Sequence, residues 1–359
     1  MTFPARVLVV GTGLVGASIG LGLRPGGTDV LLRDSSPTVA AVAADLGAGR
    51  LPGLPVDGAD EPELVVVAAP PDVTADLVVA LLREYPRAVV TDVASTKQGV
   101  VSRVVAGAGP HAARYVGGHP MAGRERSGPM AARGDLFVGR PWVLTPVPGT
   151  SATATELVHR TATRLGAVVV ELDPASHDEA VALVSHLPQV AASLVAARLV
   201  GAPGQAVALA GQGLRDVTRI AASDPVMWAQ ILAGNAAPLA RQLRLLRADL
   251  DLAIDALGRD SVGALARLVA DGNAGRATVP GKHGEAPAVW AGVPVLVPDR
   301  PGALASLIGT IGEVGVNIED LRIEHSPGRL TGVAEVSVLP AERDRLVAEL
   351  RERGWSVPD

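Results

Sequence analysis

The sequence contains no cysteine, which excludes disulfides, thiolate catalysis and zinc–thiolate centres. Aromatic residues make up only 2% of its 359 residues, so the core must be built from aliphatic side chains. Lysine is nearly absent too: Lys97 and Lys282 stand against thirty arginines. Where such a chain keeps a lysine, a compact ammonium is the natural reading, and this singles out Lys97. Basic charge is not in excess, and a formal net charge of −5 argues against a nucleic-acid-binding surface. No apolar run reaches the roughly 20 residues needed to span a bilayer, and Met1 leads straight into a strand with no basic, apolar leader. A cytoplasmic protein of two or three domains is expected, with neither membrane nor nucleic acid as partner.

What the chain has instead is alternation. Arg6–Val10 reads as a short strand running into Gly11-Thr12-Gly13-Leu14-Val15-Gly16, with a helical pattern from Ala17. Strand-like runs recur at 29–32, 64–68, 88–93, 142–145 and 167–172, and helical ones at about 71–84, 97–107 and 152–165. This predicts an α/β Rossmann-type domain over residues 1–172, a doubly wound parallel sheet with helices on both faces. Residues 173–271 offer no strand and read as an all-helical substrate and dimerisation domain. There, Ser176 and Glu179 match a capping box. Ser223-Asp224-Pro225 opens a helix expected to run to Leu257, with Gly258 as its stop. Leu243, Leu246, Leu250 and Ile254 form an apolar stripe suited to a dimer interface or to internal packing. Residues 272–288 read as a linker. Residues 289–359 follow a βαββαβ order, with strands at 293–297, 318–325, 332–338 and 355–357 and helices at 302–312 and 342–353, a ferredoxin-like unit.

Three segments carry chemistry. Gly11, Gly13 and Gly16 follow a strand, open a helix and precede Asp34 at the end of the next strand, which is the full context of a dinucleotide fingerprint. A pyrophosphate is expected on the helix N-terminus, against Thr12, Leu14 and Val15 as well as the glycines. Asp34 is expected to receive the ribose hydroxyls and repel a 2′-phosphate, favouring NAD over NADP, while Arg33 pulls the other way.

Gly117-Gly118-His119-Pro120 follows the apolar Tyr115-Val116. Two glycines leave room for something bulky against the backbone, and Pro120 biases His119 towards an extended conformation. A histidine just past a strand of such a domain suits an acid/base, and an idle loop histidine is the alternative. Asp92-Val93-Ala94-Ser95-Thr96-Lys97 lies at another strand end. Ser95 is expected to orient a reacting hydroxyl or the histidine, or merely to cap the helix that Lys97 opens. Arg219, amid small and apolar residues, suits a substrate carboxylate, or an (i, i+3) pair with Asp216. Pro188 is expected to break a helix beside His186, freeing backbone groups to line a cavity. No carboxylate–histidine spacing repeats around His177 and His186, so no metal is expected.

Together these segments resemble the prephenate/arogenate dehydrogenase family over about residues 4–255. GGHPMAGRERSG (117–128) is similar to the family's GGHPxAGxExSG block, DVASTK (92–97) to its DxxSxK segment and SHLPQ (185–189) to its SHLPH helix. GLRDVTRIAASDPVMW (213–228) is similar to its substrate-domain signature. The tail, with DRPGAL (299–304) and GVNI (315–318), resembles an ACT domain, a regulatory amino-acid-binding module.

The resemblance implies NAD-dependent oxidative decarboxylation of prephenate to 4-hydroxyphenylpyruvate in tyrosine biosynthesis, or of arogenate directly to tyrosine. It implies that His119, with an ordinary imidazole pKa, accepts the proton of the C4 hydroxyl while Ser95 orients it. Arg219 would hold a substrate carboxylate. Glu125, Asp216 and Trp228 would close the mouth, Trp228 from the partner subunit of a homodimer. Lys97, His186 and Gln189 would also face the substrate. Gln189 stands where many prephenate-using members carry histidine, so the choice between the two substrates stays open. The ACT resemblance implies a tyrosine effector held near Asp299, Gly302, Asn317 and Ile318. Two other readings compete. A hydroxy-acid dehydrogenase generally needs a lysine in its helical domain, and none lies between Lys97 and Lys282. A non-catalytic NAD or amino-acid sensor has no need to keep Ser95, His119 and Arg219 together.

Overall fold

The computed structural model describes residues 3–52, 61–123, 126–279, 290–325 and 330–358. They form two compact units, Met1–Arg247 and Ala248–Asp359. The first is built on a sheet of β1 (Arg6–Val10), β2 (Asp29–Arg33), β3 (Leu64–Val67), β4 (Val89–Asp92), β5 (Tyr115–Pro120), β6 (Pro141–Thr145) and β7 (Val168–Glu171). Their spatial order is β2-β1-β3-β4-β5-β6-β7. Helices α1 (Leu14–Leu23), α2 (Pro37–Asp45), α3 (Pro71–Glu84), α4 (Gln98–Ala108) and α5 (Ala152–Arg164) accompany it. Because the central strands are covered on both faces, they read as unbroken apolar runs, yet successive residues serve different layers. Val7, Val9, Leu64 and Val66 share a core with α1 and α5, whereas Leu8, Val10, Val65 and Val67 share one with α3 and α4.

The Rossmann-like parallel arrangement holds from β2 to β5. Beyond that the expectation of a wholly parallel sheet is corrected: β6 pairs antiparallel with β5, and β7 runs parallel to β6. Among the described residues between β5 and β6 there is only a short 3-10 turn, Pro129–Ala131, and no crossover helix. Without a crossover the chain returns beside β5 in the opposite sense. His119 is also relocated. It lies inside β5, opposite Val143, rather than in a turn past the strand. The glycines before it accommodate the protein itself, not a ligand: a Cβ on Gly118 would stand 2.6 Å from the Asp92 carbonyl oxygen, and one on Gly117 would strike the Thr145 hydroxyl.

In the helical part, α6 (Pro174–Val181), a π-helical turn at Ala182–His186 and α7 (Leu187–Ala197) form one continuous run. Its cap is Asp173, whose carboxylate accepts from the Ala175 and Ser176 N–H groups, rather than the Ser176–Glu179 box. Pro188 does not break it. The Leu187 N–H reaches back five residues to the Ala182 carbonyl, and this wider turn makes room for the proline ring. The run is 24 residues long with a mean hydropathy of 1.6, long and apolar enough by length and composition to cross a membrane, contrary to the sequence reading. Only one side of it is buried, and that side carries His177, Asp178, His186 and Gln189, while Leu183, Val184 and Leu194 are exposed.

The short helices α8 (Gly204–Ala208) and α9 (Gln212–Thr218) follow, and then α10 (Pro225–Gly234), capped by Asp224 with Pro225 in its first turn as expected. The long helix expected from there is in fact two, because Asn235 separates α10 from α11 (Ala236–Gly258). Helix α12 (Val262–Ala277) extends into the expected linker; the rest of that linker, from residue 280, lies outside the described residues.

The second unit contains β8 (Ala291–Pro298), α13 (Ala303–Val314), β9 (Asp320–His325), β10 (Thr331–Val338) and α14 (Arg343–Glu352). Its antiparallel sheet has the order β8-β10-β9, and Ser356 bridges to Leu296 on β8, so the βαββαβ order is realised. Val293, Val295, Leu307, Ile311, Val336 and Leu346 fill its core.

Candidate active site

The fingerprint turn is shaped to receive a dinucleotide, and each glycine has a separate reason. Gly11 has φ +94°, in the left-handed region, and a Cβ there would strike the Ala68 carbonyl oxygen. A Cβ on Gly16 would strike the Gly11 carbonyl oxygen, so this glycine lets α1 close against the turn. Gly13, the N-cap of α1, faces open space, and no side chain caps the helix. These are the tight turn, the helix–strand packing and the backbone left clear for a pyrophosphate that such a site requires. Asp34 at the end of β2 accepts from the Thr12 N–H at 2.7 Å and the Thr12 hydroxyl at 3.0 Å, tying the turn to the next strand. Arg33 is engaged elsewhere: its guanidinium donates to both Glu84 oxygens at 2.8 and 3.2 Å. It is therefore held away from a competing role beside Asp34.

At the ends of β4 and β5 the chain buries a polar network. Lys97 has no exposed surface; its ammonium is paired with Asp92 and donates to the Gly118 carbonyl oxygen at 2.8 Å. The Tyr115 hydroxyl donates to the other Asp92 oxygen at 2.6 Å. Burial, and then the Asp92 charge, raise the Tyr115 phenol well above 10, so it stays a donor. Burial lowers the Lys97 ammonium from its usual value, with Asp92 opposing the shift. Lys97 is thereby corrected from a substrate contact to a fastener of the backbone beside His119.

His119 itself is buried, and its Nδ1 lies 2.8 Å from Nε2 of His177. His177 Nδ1 lies in turn 2.8 Å from Oδ1 of Asp178. That carboxylate also receives the Lys97 N–H at 2.8 Å and the Gln98 N–H at 2.9 Å, capping α4 from a different helix. Ser95, half-buried in the β4–α4 turn, is not the cap and is not the partner of His119. Burial pushes the His119 imidazole well below its usual 6.5, and His177, Lys97 and His186 add to the effect. The expectation of an unperturbed imidazole is corrected accordingly: His119 is neutral at neutral pH.

Comparison with known proteins gives this arrangement a family. Residues 19–171 match the family described as prephenate dehydrogenase, nucleotide-binding domain, and residues 173–270 that described as prephenate dehydrogenase, dimerization domain. The chain is 37% identical to the probable prephenate dehydrogenase NovF of Streptomyces niveus, over 97% of its own length and 98% of that protein's. The chain belongs to the prephenate dehydrogenase family. It is also 29% identical to prephenate dehydrogenase of Bacillus subtilis, over 96% of this chain and 94% of that one. Among solved structures it is similar to prephenate dehydrogenase from A. aeolicus in complex with hydroxyphenyl propionate and NAD+, with TM-score 0.69 and 28% identity over 77% of this chain and 98% of that one. It is similar as well to Synechocystis arogenate dehydrogenase, with TM-score 0.65 and 27% identity over 76% and 98%.

The remaining residues of the prephenate dehydrogenase motifs are placed as follows. Arg219 is exposed where α9 passes into a 3-10 turn. Asp216 is exposed and accepts from Gln212 at 2.8 Å. Gln189 is buried and donates from Nε2 to the Ile220 carbonyl at 3.0 Å, fastening the turn that carries Arg219. His186 is buried, its pKa lowered by that burial, with Nδ1 3.1 Å from the Asn235 amide. Trp228 stands edge-on to His186 of the same chain, ring centroids 6.2 Å apart. Glu125 lies outside the described residues. Sequence reasoning missed His177, Asp178, Asn235 and the hydroxyl of Tyr115. A histidine followed by an acid is too common a dipeptide to flag, and its target lies 58 residues earlier in the chain.

Proposed function

We propose that this chain catalyses the NAD-dependent oxidative decarboxylation of prephenate to 4-hydroxyphenylpyruvate. The observation that carries the reading is His119: buried, neutral, one strand away from Asp92 at the sheet edge where the fingerprint turn also lies, with Nδ1 committed to His177. Among the described residues Nε2 of His119 has no protein partner, which leaves it for a substrate. Gly11, Thr12, Gly13, Leu14, Val15, Gly16 and Asp34 would hold NAD, which when bound takes a hydride from the ring carbon that bears the hydroxyl. His119 takes the proton of that hydroxyl as the carbonyl forms. The bond to the ring carboxylate then breaks, carbon dioxide departs, and its electrons restore the aromatic ring. The phenolate oxygen so formed recovers the proton from His119. Arg219 holds a substrate carboxylate and Ser95 the reacting hydroxyl.

Arogenate is the second reading, supported by the similarity to Synechocystis arogenate dehydrogenase. Gln189 donates one amide N–H to Ile220 and keeps a carbonyl oxygen that suits the ammonium of arogenate and a second N–H that suits the keto oxygen of prephenate. Initial rates of NADH formation with each compound decide between them. Failure to turn over either compound would overturn the dehydrogenase reading.

The same proposal covers the organisation of the enzyme. Residues 1–172 bind the dinucleotide, 173–271 supply substrate contacts and the homodimer interface, and 289–359 form an ACT regulatory module for tyrosine in a cytoplasmic enzyme. A dimer interface is supported by the large apolar side chains that α11 and α12 leave exposed, Leu252, Ile254, Leu257 and Val262 among them. The regulatory reading is supported by the βαββαβ order and by Gly302, which holds φ +85° immediately before α13. Asp299 and Asn317 are exposed, and Ile318 is half-buried. Asn317 donates to Glu319 at 2.7 Å, which leaves its carbonyl oxygen for an ammonium.

A further inference from the structure

We infer that His177 and Asp178 are positioning residues that select one tautomer of His119, with the proton on Nδ1 and the lone pair on Nε2 turned to the substrate hydroxyl. The inference rests on the dehydrogenase reading above and names what orients its base.

Asp178 is fixed first. Its two oxygens receive the N–H groups of Lys97 and Gln98 at the start of α4, contacts that only an acceptor can satisfy and that favour the anion. An acceptor 2.8 Å from His177 Nδ1 requires a proton on that nitrogen. In a neutral imidazole the other nitrogen then carries a lone pair. Nε2 of His177 is therefore an acceptor, and the atom facing it at 2.8 Å, Nδ1 of His119, must be the donor. Reversing the bond would turn the His177 Nδ1 lone pair onto the Asp178 carboxylate. A fully protonated His177 would donate from Nε2 as well and impose the opposite tautomer on His119, so the inferred order belongs to a neutral His177. The charged groups around the relay are Lys97 and Asp92 from the β4–α4 segment and Asp178 from α6.

The backbone supports the same geometry. Asn235 donates to the Asp178 carbonyl at 2.7 Å and so pins α6 at this residue, while the Lys97 ammonium pins the Gly118 carbonyl. Both ends of the relay are thus held by anchors on the backbone that bypass the two imidazoles. No proton travels past His119. Its Nε2 receives the hydroxyl proton, and the imidazolium that results keeps its Nδ1–H bond to the His177 lone pair. The relay sets orientation and stabilises that cation, and it carries no charge away.

The test has two arms. First, 15N NMR of histidine-labelled full-length protein with NAD, near neutral pH, with His119 assigned through His119→Asn, reads the tautomer without any turnover. Protonated Nδ1 and bare Nε2 on His119 are expected; a proton on Nε2 overturns the inference. Second, His177→Leu, which has no acceptor, is compared with His177→Gln, whose amide can accept from His119 and donate to Asp178. Loss of a tautomer-fixing partner can cost up to about 10⁴-fold in kcat, and a fall of at least about 10²-fold is expected for the leucine variant. KM for NAD should stay near the parent value, and the glutamine variant should recover most of the loss. Parent-like kcat in the leucine variant, or equal losses in both, would overturn the relay. If the parent turns over neither prephenate nor arogenate, the dehydrogenase reading fails, and the NMR arm still decides the tautomer.

Discussion

The ammonium of Lys97 donates to the carbonyl oxygen of Gly118 at 2.8 Å, one residue before His119. The same ammonium neutralises Asp92 in a place without solvent. Removing one partner of a buried ion pair strands the other, at a cost of about 3–5 kcal/mol. Lys97→Met should therefore lower stability by that amount in urea unfolding, and adding Asp92→Asn should recover part of it. Stability unchanged in the single variant would mean that Asp92 is not held as an anion.

His119→Asn should lower kcat by about 10²–10⁴-fold, the usual worth of general acid–base assistance, while NAD affinity stays close to that of the parent. A near-normal kcat would remove His119 from the mechanism.

The pH dependence follows from the direction of the His119 shift. Its folded pKa is depressed below the unfolded value near 6.5, so the base form persists under acid. The acid limb of kcat/KM should lie below pH 6.5. For stability the sign is that of a group buried neutral. Above about 6.5 both states carry neutral imidazole and the residue contributes nothing. Below it the unfolded chain takes up a proton that the folded chain refuses, and stability falls as pH descends towards the folded pKa. Urea titrations of the parent and His119→Asn between pH 5 and 8 should diverge only on the acid side.

In the proposed reading two acids bear on cofactor choice. Replacing Asp34 with Ala removes the charge that repels a 2′-phosphate and should relax the preference for NAD. Glu84→Gln should act in the same direction from further away, because it loosens the pair that detains Arg33. The ratio of kcat/KM for NAD to that for NADP measures both. A parent enzyme faster with NADP contradicts the assignment of Asp34.

Substrate and effector each have a direct test. Arg219→Gln should raise KM by about 10–100-fold with a smaller change in kcat, since a charge-assisted clamp is worth about 1.5–3 kcal/mol in ground and transition states alike. Arg219→Lys should not restore it, for want of the paired geometry. Tyrosine inhibition should disappear in a chain truncated at Ala286 while basal activity remains. Equal inhibition of both forms would place tyrosine at the active site as a product analogue.

Patterns that depend on neighbours along the chain were readable in the residues themselves. The short apolar strand runs, the fingerprint glycines with Asp34, the Asp224–Pro225 helix start and the βαββαβ tail are all local arrangements in which residue type answers to backbone conformation within a few positions. The histidine segment was readable for the same reason, though not its register: Gly117 to Pro120 became strand because β6 came back beside them. That event depends on a pairing partner some twenty residues on, with no crossover helix between them among the described residues. Asn235 likewise looks like an ordinary helical residue until Asp178 and His186 claim its amide.

What only the tertiary structure decided is who faces whom in the buried polar network. The sequence by itself determined that the chain carries a nucleotide-binding turn, an imidazole at a sheet edge and an isolated lysine. It did not determine that Lys97 turns inward, that Asp178 caps a helix 81 residues earlier, or that His119 is oriented by His177 rather than by Ser95. The physical reason is one of desolvation. A polar group taken out of water must find a partner, and which partner lies within 3 Å depends on how helices and strands far apart in the chain are packed, not on the residues next to it.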